Sequence, residues 1–306
     1  MADVAVQKLE TTDGFVVYDF GDAPSAGVVR RGRKILQRSS VDLARWATYS
    51  FAFYGIERGG ASAGLNAEGP SEGPALEAMI DELTEPLASG GLRLLAGKGV
   101  ATEELRNAAA RADPEPEPFA DQLMTSGPLA AAAWALGGSV QGRRLAIEGR
   151  GADSEIPSRL AEAATAAGAI IVEPDATNNE PLAIWGAEAD ALLVGSRPGA
   201  MNHQGAEHVK ANAVIAWGPL PITTKALAVL LSKDVTYVPD FAAAAGPLVA
   251  PHLELDDAGD FERRQRTLLE TASGHDEPLF LACCLLAEQF LSTWRTKLPF
   301  GRPLAG

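Results

Sequence analysis

"AIEGRGADSEIPSRLAEAATAAGAIIVEPD", residues 146–175, is the stretch that decides the fold. An apolar strand runs into Gly149-Arg150-Gly151, a helix follows, and a second apolar strand ends at Asp175. Strands that alternate with helices in this way predict a parallel βαβ unit. Tight glycine turns let backbone N–H groups approach a pyrophosphate at a helix start, and a carboxylate about 20 residues later binds the ribose. The pattern therefore predicts a dinucleotide site.

This dinucleotide pattern leaves two questions open. A strict G-x-G-x-x-G places its third glycine at Ser154, and a register set by the helix places it at Pro157, which has no N–H to offer. A Rossmann domain kept for its fold alone is the alternative. For a bound nucleotide, Asp175 favours NAD over NADP because a carboxylate repels a 2′-phosphate. Ser196 ends the later apolar strand "ADALLVGS" and joins the candidate cofactor residues.

Length and charge restrict the possible classes of protein. A chain of 306 residues with 46% hydrophobic content is long enough for two domains, each with a core of its own. The net charge of −14 argues against nucleic-acid binding, which needs a basic surface. No apolar run reaches the roughly 18 residues of a membrane span, and the start lacks a signal-peptide pattern. We expect no membrane association and a cytoplasmic location.

Cysteine and histidine usage gives no sign of a metal site. Cys283 and Cys284 are neighbours in a predicted helix, so their side chains diverge and we expect two buried free thiols. The four histidines are scattered and form no HxxxH pair. We expect no bound metal.

The rest of the chain predicts two α/β domains. "FVVYDF" and "AGVVRR" are expected to be strands, Ser39 with Asp42 resembles a capping box, and Pro74 is expected to open a helix. Alternating strands and helices then predict a doubly wound, Rossmann-like domain over 125–276. The first domain covers 1–124, and a C-terminal helix within 277–306 is expected to pack back at the junction.

The order of these elements resembles a known family. "TYS" (48–50) and "GGASAG" (59–64) precede the βαβ unit, which is followed by "ADALLVGSRPGAMNHQGAEHVKANAVIAWGPLPITTKALAVLLSKDVTYVPDFAAAAGPL" (189–248). From about residue 15 to 250 the chain resembles the glutamate/leucine/phenylalanine/valine dehydrogenase family. The resemblance implies oxidative deamination of L-amino acids with NAD(P), a small-molecule ligand between two domains, and a homo-oligomer.

The charged residues that this chemistry needs are replaced. The family has one lysine to hold the substrate carboxylate, a second lysine to activate water and an aspartate to move the proton. The resemblance places Ser50, Ser62 and Lys98 at these positions, and the twelve-residue spacing between the serines matches the family. The resemblance also places one motif asparagine near Leu220, a second at Ala244 and a turn glycine at Pro247. We therefore expect ordinary amino-acid deamination to be absent.

Relocated groups offer an alternative chemistry. Arg58 precedes Gly59-Gly60 and is a candidate carboxylate clamp, although it also suits a surface pair with Glu57. Lys98 is a candidate cation or amine nucleophile, or a solvated loop residue. The small residues of "GGASAG" favour close approach of the backbone to another group. Two functions stay open: an NAD(P)-dependent oxidoreductase with a changed substrate, and a non-catalytic sensor or oligomer subunit.

Overall fold

A computed structural model describes residues 4–109, 119–149, 155–173 and 183–305. The chain divides into two compact units, one of Met1–Glu117 with Ala287–Pro303 and one of Pro118–Leu286 with Leu304–Gly306. Both units are mixed α/β, which confirms the predicted fold class.

The first unit is built on a mixed five-stranded sheet. Its strands are β1 (Ala5–Lys8), β2 (Gly14–Tyr18), β3 (Ser25–Gly32), β4 (Gly59–Asn66) and β5 (Leu92–Ala96), in the order β1-β2-β4-β3-β5. The strands β3, β4 and β5 are parallel, whereas β1 and β2 run antiparallel to their neighbours. The two strands predicted for this unit are confirmed as β2 and β3, and the central β4 was not predicted.

Helices cover both faces of this sheet. The long α1 (Gln37–Phe53) packs on one face against β4. The other face meets α2 (Glu72–Glu82), α3 (Thr84–Ala88) and α4 (Thr102–Ala109) through a core that includes Leu65, Met79 and Leu105.

Two predicted helix starts are wrong. The helix α1 begins at Gln37 without a side-chain cap, and Ser39 instead donates its hydroxyl to the carbonyl of Leu36. The helix α2 begins at Glu72, so Pro74 is its third residue.

The second unit is built on a wholly parallel sheet. Its strands are β6 (Arg144–Ile147), β7 (Ile170–Ile171), β8 (Ala191–Val194), β9 (Ala213–Ala216) and β10 (Thr236–Val238), in the order β10-β9-β8-β6-β7. The chain winds from β6 to β7 on one side and then crosses to β8 on the other. This reversal is the topological switch point at which doubly wound sheets bind ligands.

Helices connect and extend this second sheet. They are α5 (Ala120–Ala135), α6 (Ile156–Ala166), α7 (His203–His208), α8 (Thr224–Ser232), α9 (Asp240–Ala243), α10 (Gly246–Val249), α11 (Ala258–Ser273) and α12 (Leu279–Trp294). The helix α12 confirms the predicted C-terminal helix, and its two cysteines are buried free thiols as expected.

The C-terminal segment from residue 287 packs within the first unit. The Arg295 guanidinium pairs with Asp22 and lies 4.1 Å from the centre of the Phe20 ring. Glu288 accepts hydrogen bonds from Tyr49 at 2.9 Å and from Arg302 at 2.8 Å. These contacts give the segment a fixed place against β2 and α1.

Candidate functional site

The predicted dinucleotide turn begins at the carboxyl end of β6. Gly149 adopts a left-handed φ of +88° there, a conformation that residues with a side chain rarely adopt. The turn thus needs its first glycine. Arg150, Gly151 and Asp175 lie outside the described residues, so their predicted cofactor roles stay predictions.

The carboxylate of Glu148 is hydrogen-bonded to the polar groups beside this turn. Glu148 accepts hydrogen bonds from the backbone N–H of Gly195 at 3.1 Å and of Ser196 at 3.0 Å. The Ser196 hydroxyl also donates to Glu148. The two N–H groups at the end of β8 are therefore already paired with a negative charge, and an incoming phosphate would face that charge.

The indole of Trp217, which follows β9, lies across the same edge of the sheet. A Cβ placed on Gly195 would be 2.5 Å from Trp217 Cδ2, and one placed on Gly149 would be 3.3 Å from Trp217 Cζ2. The side chain is 6% exposed, and its Nε1 has no hydrogen-bond partner in the described part of the chain. The ring therefore packs over the ends of both β6 and β8.

Gly149, Glu148 and Trp217 determine whether a dinucleotide can bind at the carboxyl ends of β6 and β8. Gly149 has the backbone that such a turn needs. However, Trp217 covers the switch point between β6 and β8, and Glu148 adds a negative charge where a pyrophosphate needs donors. The described residues therefore do not fit a dinucleotide laid across this edge. Neither residue was singled out in the sequence, although an aromatic at the end of an apolar strand was visible in "VIAWG".

A buried aspartate lies at the end of β10, in "PDF". Asp240 accepts a hydrogen bond from the backbone N–H of Leu220, and burial raises the pKa of its carboxyl to about 7. Leu220 has a left-handed φ of +54°. Asparagine and glycine adopt this conformation readily and leucine does not, which agrees with the resemblance that places an asparagine there.

The pKa of Asp240 predicts a stability that falls as the pH rises. Its folded pKa of about 7 lies above the ordinary aspartate pKa of 3.8, so the folded state holds the proton more tightly. Its contribution is complete below about pH 4 and is lost by about pH 7, on the order of 4 kcal/mol. We expect the urea midpoint to fall between these values of pH. Asp240→Asn should flatten that dependence, and an unchanged slope in the variant would contradict the assignment.

Ser50 and Ser62, which the sequence resemblance places at the positions of the family lysines, are inaccessible to solvent. Ser50 lies in α1 and donates its hydroxyl to the carbonyl of Trp46 at 2.9 Å, one helical turn earlier. Ser62 lies in β4, paired with Val17 on one side and Val28 on the other. Both serines are 0% exposed, and the Ser62 hydroxyl has no partner within the described ranges.

The glycines of "GGASAG" serve the packing of a helix on the sheet. The backbone N–H of Gly60 donates to the Thr48 hydroxyl at 2.9 Å. A Cβ on Gly60 would stand 1.8 Å from the carbonyl oxygen of Ala44, and one on Gly59 would be 2.9 Å from the Ser25 hydroxyl. The close approach predicted from the sequence is therefore an approach to α1 for Gly60 and to β3 for Gly59. A role for these glycines in binding substrate stays a prediction.

Arg58 and Lys98 lie at opposite ends of the parallel strands. Arg58 precedes the start of β4, whereas the Lys98 carbonyl accepts a hydrogen bond from the N–H of Arg31 at the far end of β3. Along β3, six residues separate Ser25, which lies beside Arg58, from Arg31, which lies beside Lys98, a distance of roughly 20 Å. One small molecule cannot contact both. Lys98 is exposed, and Arg58 forms no ion pair with Glu57, so the alternative of a surface pair is wrong.

The described residues offer no metal centre and no membrane-spanning helix. Within them, no group of three or more His, Cys, Asp or Glu side chains is arranged to hold a metal ion. None of the helices in those ranges is long and apolar enough to cross a bilayer.

The second unit matches a known family of dehydrogenases. Residues 158–270 match the model of the glutamate/leucine/phenylalanine/valine dehydrogenase family. The match covers 113 of the 306 residues of this chain, all of them in the second unit. The resemblance seen in the sequence is thereby confirmed, and the family is one of NAD(P)-dependent amino-acid dehydrogenases. A comparison with curated protein sequences gave no match.

Solved structures of such dehydrogenases share the fold over nearly the whole chain. The hetero-hexameric glutamate dehydrogenase of Thermus thermophilus, in its leucine-bound form, has a TM-score of 0.72 and 18% identity over 98% of this chain and 90% of its own. The L-tryptophan dehydrogenase of Nostoc punctiforme has a TM-score of 0.67 and 17% identity, covering 95% of this chain and 96% of its own. At these identities the likeness establishes the fold alone.

Proposed function

We propose that this protein is a non-catalytic member of the amino-acid dehydrogenase family, which keeps the scaffold and does not deaminate amino acids. One observation carries the proposal: Ser50 and Ser62, which the sequence resemblance places at the positions of the two family lysines, are both fully buried. A hydroxyl bonded within its own helix, as in Ser50, is not available to hold a substrate carboxylate.

The charge balance of deamination explains why these substitutions matter. The reaction needs a cation beside the substrate carboxylate and a second one to stabilise the developing oxyanion. A buried serine hydroxyl supplies neither charge. Each missing acid–base group lowers the rate by about 10²–10⁴, and the losses are not additive.

The second unit supports the same proposal from a different observation. Glu148 occupies the N–H groups at the end of β8, and Trp217 covers the switch point. A family member that no longer takes a nicotinamide cofactor has no hydride acceptor. Loss of the lysines and a closed switch point together favour a scaffold without redox chemistry.

The role that remains for such a scaffold is that of an oligomer subunit. The solved Thermus thermophilus relative is hetero-hexameric, so chains of more than one kind assemble in that protein. We propose that this chain likewise assembles, either with copies of itself or with a related chain. Light scattering of the purified protein should give a mass of at least two chains, and a monomer at micromolar concentration would contradict this part of the proposal.

Turnover measurements test the non-catalytic role directly. With leucine, glutamate, phenylalanine, valine or tryptophan, and with NAD⁺ or NADP⁺, we expect nicotinamide reduction at least about 10⁴-fold slower than in an active dehydrogenase assayed in parallel. Lys98→Met is the control for contamination, since a trace of another enzyme would survive it. Amino-acid-dependent reduction that Lys98→Met abolishes would refute the proposal.

An oxidoreductase with a changed substrate is the second candidate. Gly149 favours it, because its left-handed φ keeps the backbone of a dinucleotide turn. Such an enzyme would use NAD(P), with NAD preferred if Asp175 binds the ribose, and a substrate without an α-amino-acid head. Binding of a nicotinamide nucleotide, together with no turnover of amino acids, would favour this candidate.

A further inference from the structure

Two arginines meet at the amino-terminal ends of the parallel strands in the first unit. Ser25 at the start of β3 pairs with Gly59 of β4 on one side and with Leu92 of β5 on the other. Arg58 immediately precedes Gly59, and Arg93 immediately follows Leu92. The sheet register therefore places both arginines at the same end of the sheet, on the two sides of β3, although 35 residues of sequence separate them.

Neither guanidinium is paired with an acid. Arg58 Nη1 donates to the carbonyls of Ser25 and Gly90, each at 3.3 Å, which are long and weak contacts. Arg93 Nε is buried and has no hydrogen-bond partner in the described ranges. No carboxylate of those ranges lies within ion-pair distance of either side chain.

The interaction between the charges of Arg58 and Arg93 is unfavourable without a bound anion. Burial lowers the pKa of Arg58, and the charge of Arg93 lowers it further. Two half-buried like charges without a counter-ion destabilise each other, since desolvation removes the screening that water provides.

Several other arginines of the described ranges have an acid partner. Arg31 binds Glu104 and Glu72, and Arg106 binds Glu103. The chain also carries 40 acidic residues against 26 basic ones, so acids are in excess. Arg58 and Arg93 lack an acid partner in the described ranges. Arg30 lacks one too, but its Nη2 donates to the hydroxyls of Ser39 and Ser40.

We propose that Arg58 and Arg93 form a binding site for a small oxyanion, a carboxylate or a phosphate group of a metabolite. The planar guanidinium presents paired N–H donors that match two oxygens of either group. Only Nη1 of Arg58 is bonded, to the carbonyls of Ser25 and Gly90, and Arg93 Nε has no partner within the described residues. It lies at the end of the strands opposite to Lys98, so it is separate from the family position of the catalytic aspartate. The proposal does not depend on the proposed function.

Thermal unfolding with inorganic phosphate and with succinate tests the site. The measurement uses the full chain in a chloride-only amine buffer, with sodium chloride of equal ionic strength as the control. A saturable rise in Tm with phosphate alone indicates a phosphate ligand, a rise with succinate alone a carboxylate ligand, and a rise with both a general oxyanion site. A response to neither probe, or one that sodium chloride reproduces, overturns the proposal.

Two matched variants separate binding from folding. Arg93→Gln should weaken anion binding by about tenfold or more, whereas Arg106→Gln removes the same charge elsewhere and should leave it unchanged. Without any anion, Arg93→Gln should keep or raise the Tm, because it relieves the repulsion with Arg58. Equal binding by both variants, or a lowered Tm of Arg93→Gln in the absence of anion, contradicts the site.

Discussion

Replacing Gly60 by alanine is expected to destabilise the first unit by about 3 kcal/mol or more. The added Cβ would stand 1.8 Å from the carbonyl oxygen of Ala44 and 2.6 Å from the backbone nitrogen of Thr48. Both are backbone atoms of α1, so no rotation of a side chain relieves the clash. The helix would have to move off β4, which would also break the hydrogen bond from Gly60 to Thr48. A loss of this size is a large fraction of typical domain stability.

The chain supplies a matched control for Gly60. Gly73 lies in α2, and a Cβ placed there meets no atom within 4 Å. Gly73→Ala should therefore stabilise the protein by about 0.5–1 kcal/mol through its higher helix propensity. Urea denaturation of both variants measures the difference. Equal stability of Gly60→Ala and the unmodified protein would show that α1 does not rest on β4 in this way.

Loss of the Arg45 side chain is expected to cost about 3–5 kcal/mol. Its Nε lies 2.8 Å from Asp19 Oδ2, and Asp19 is 0% exposed. The same guanidinium donates to the carbonyls of Phe300 and Gly301, which ties the C-terminal segment to α1. Arg45→Met would leave a buried carboxylate without a counter-ion and would release that segment.

A double variant and a surface control test this expectation. Asp19→Leu combined with Arg45→Met removes both charges and should recover most of the stability that the single variant loses. Arg106→Met breaks the exposed pair with Glu103 and should cost at most about 1 kcal/mol. Denaturant unfolding measures all three variants. A loss for Arg45→Met as small as that for Arg106→Met would argue against a buried pair.

The second sheet was predictable from the sequence because its strands are short, continuous apolar runs between helices. The strands β6, β8 and β9 fall where "RRLAIEG", "ADALLVG" and "ANAVIAWG" predict them. The strand β4 was missed because "GGASAGLN" lacks the branched and aromatic residues that favour strands. Its small residues leave room for α1 and β3 to pack closely against it. This requirement comes from tertiary packing, so local strand propensity does not reveal it.

The candidate site was predictable from the sequence only where the spacing between residues could be compared with that of the family. The twelve-residue spacing from Ser50 to Ser62 led us to place both serines at the positions of the family lysines, but it did not indicate that both serines are buried. Arg93 drew no attention in the sequence, because only the register of β3 with β4 and β5 brings it to Arg58. Trp217 likewise becomes important only when the order of the strands places it over Gly149.

Calorimetric titration of the purified protein with NAD⁺, NADH, NADP⁺ and NADPH tests the central claim most directly, because it requires no guess about the substrate. The account predicts no saturable heat with any of the four nucleotides, and no rise in Tm. A functional nicotinamide site at about 100 times its Kd would add roughly 2.7 kcal/mol to the stability, an effect that thermal unfolding shows clearly. Saturable binding of any one of them would contradict the account, because it would show that Trp217 and Glu148 do not exclude a nicotinamide nucleotide.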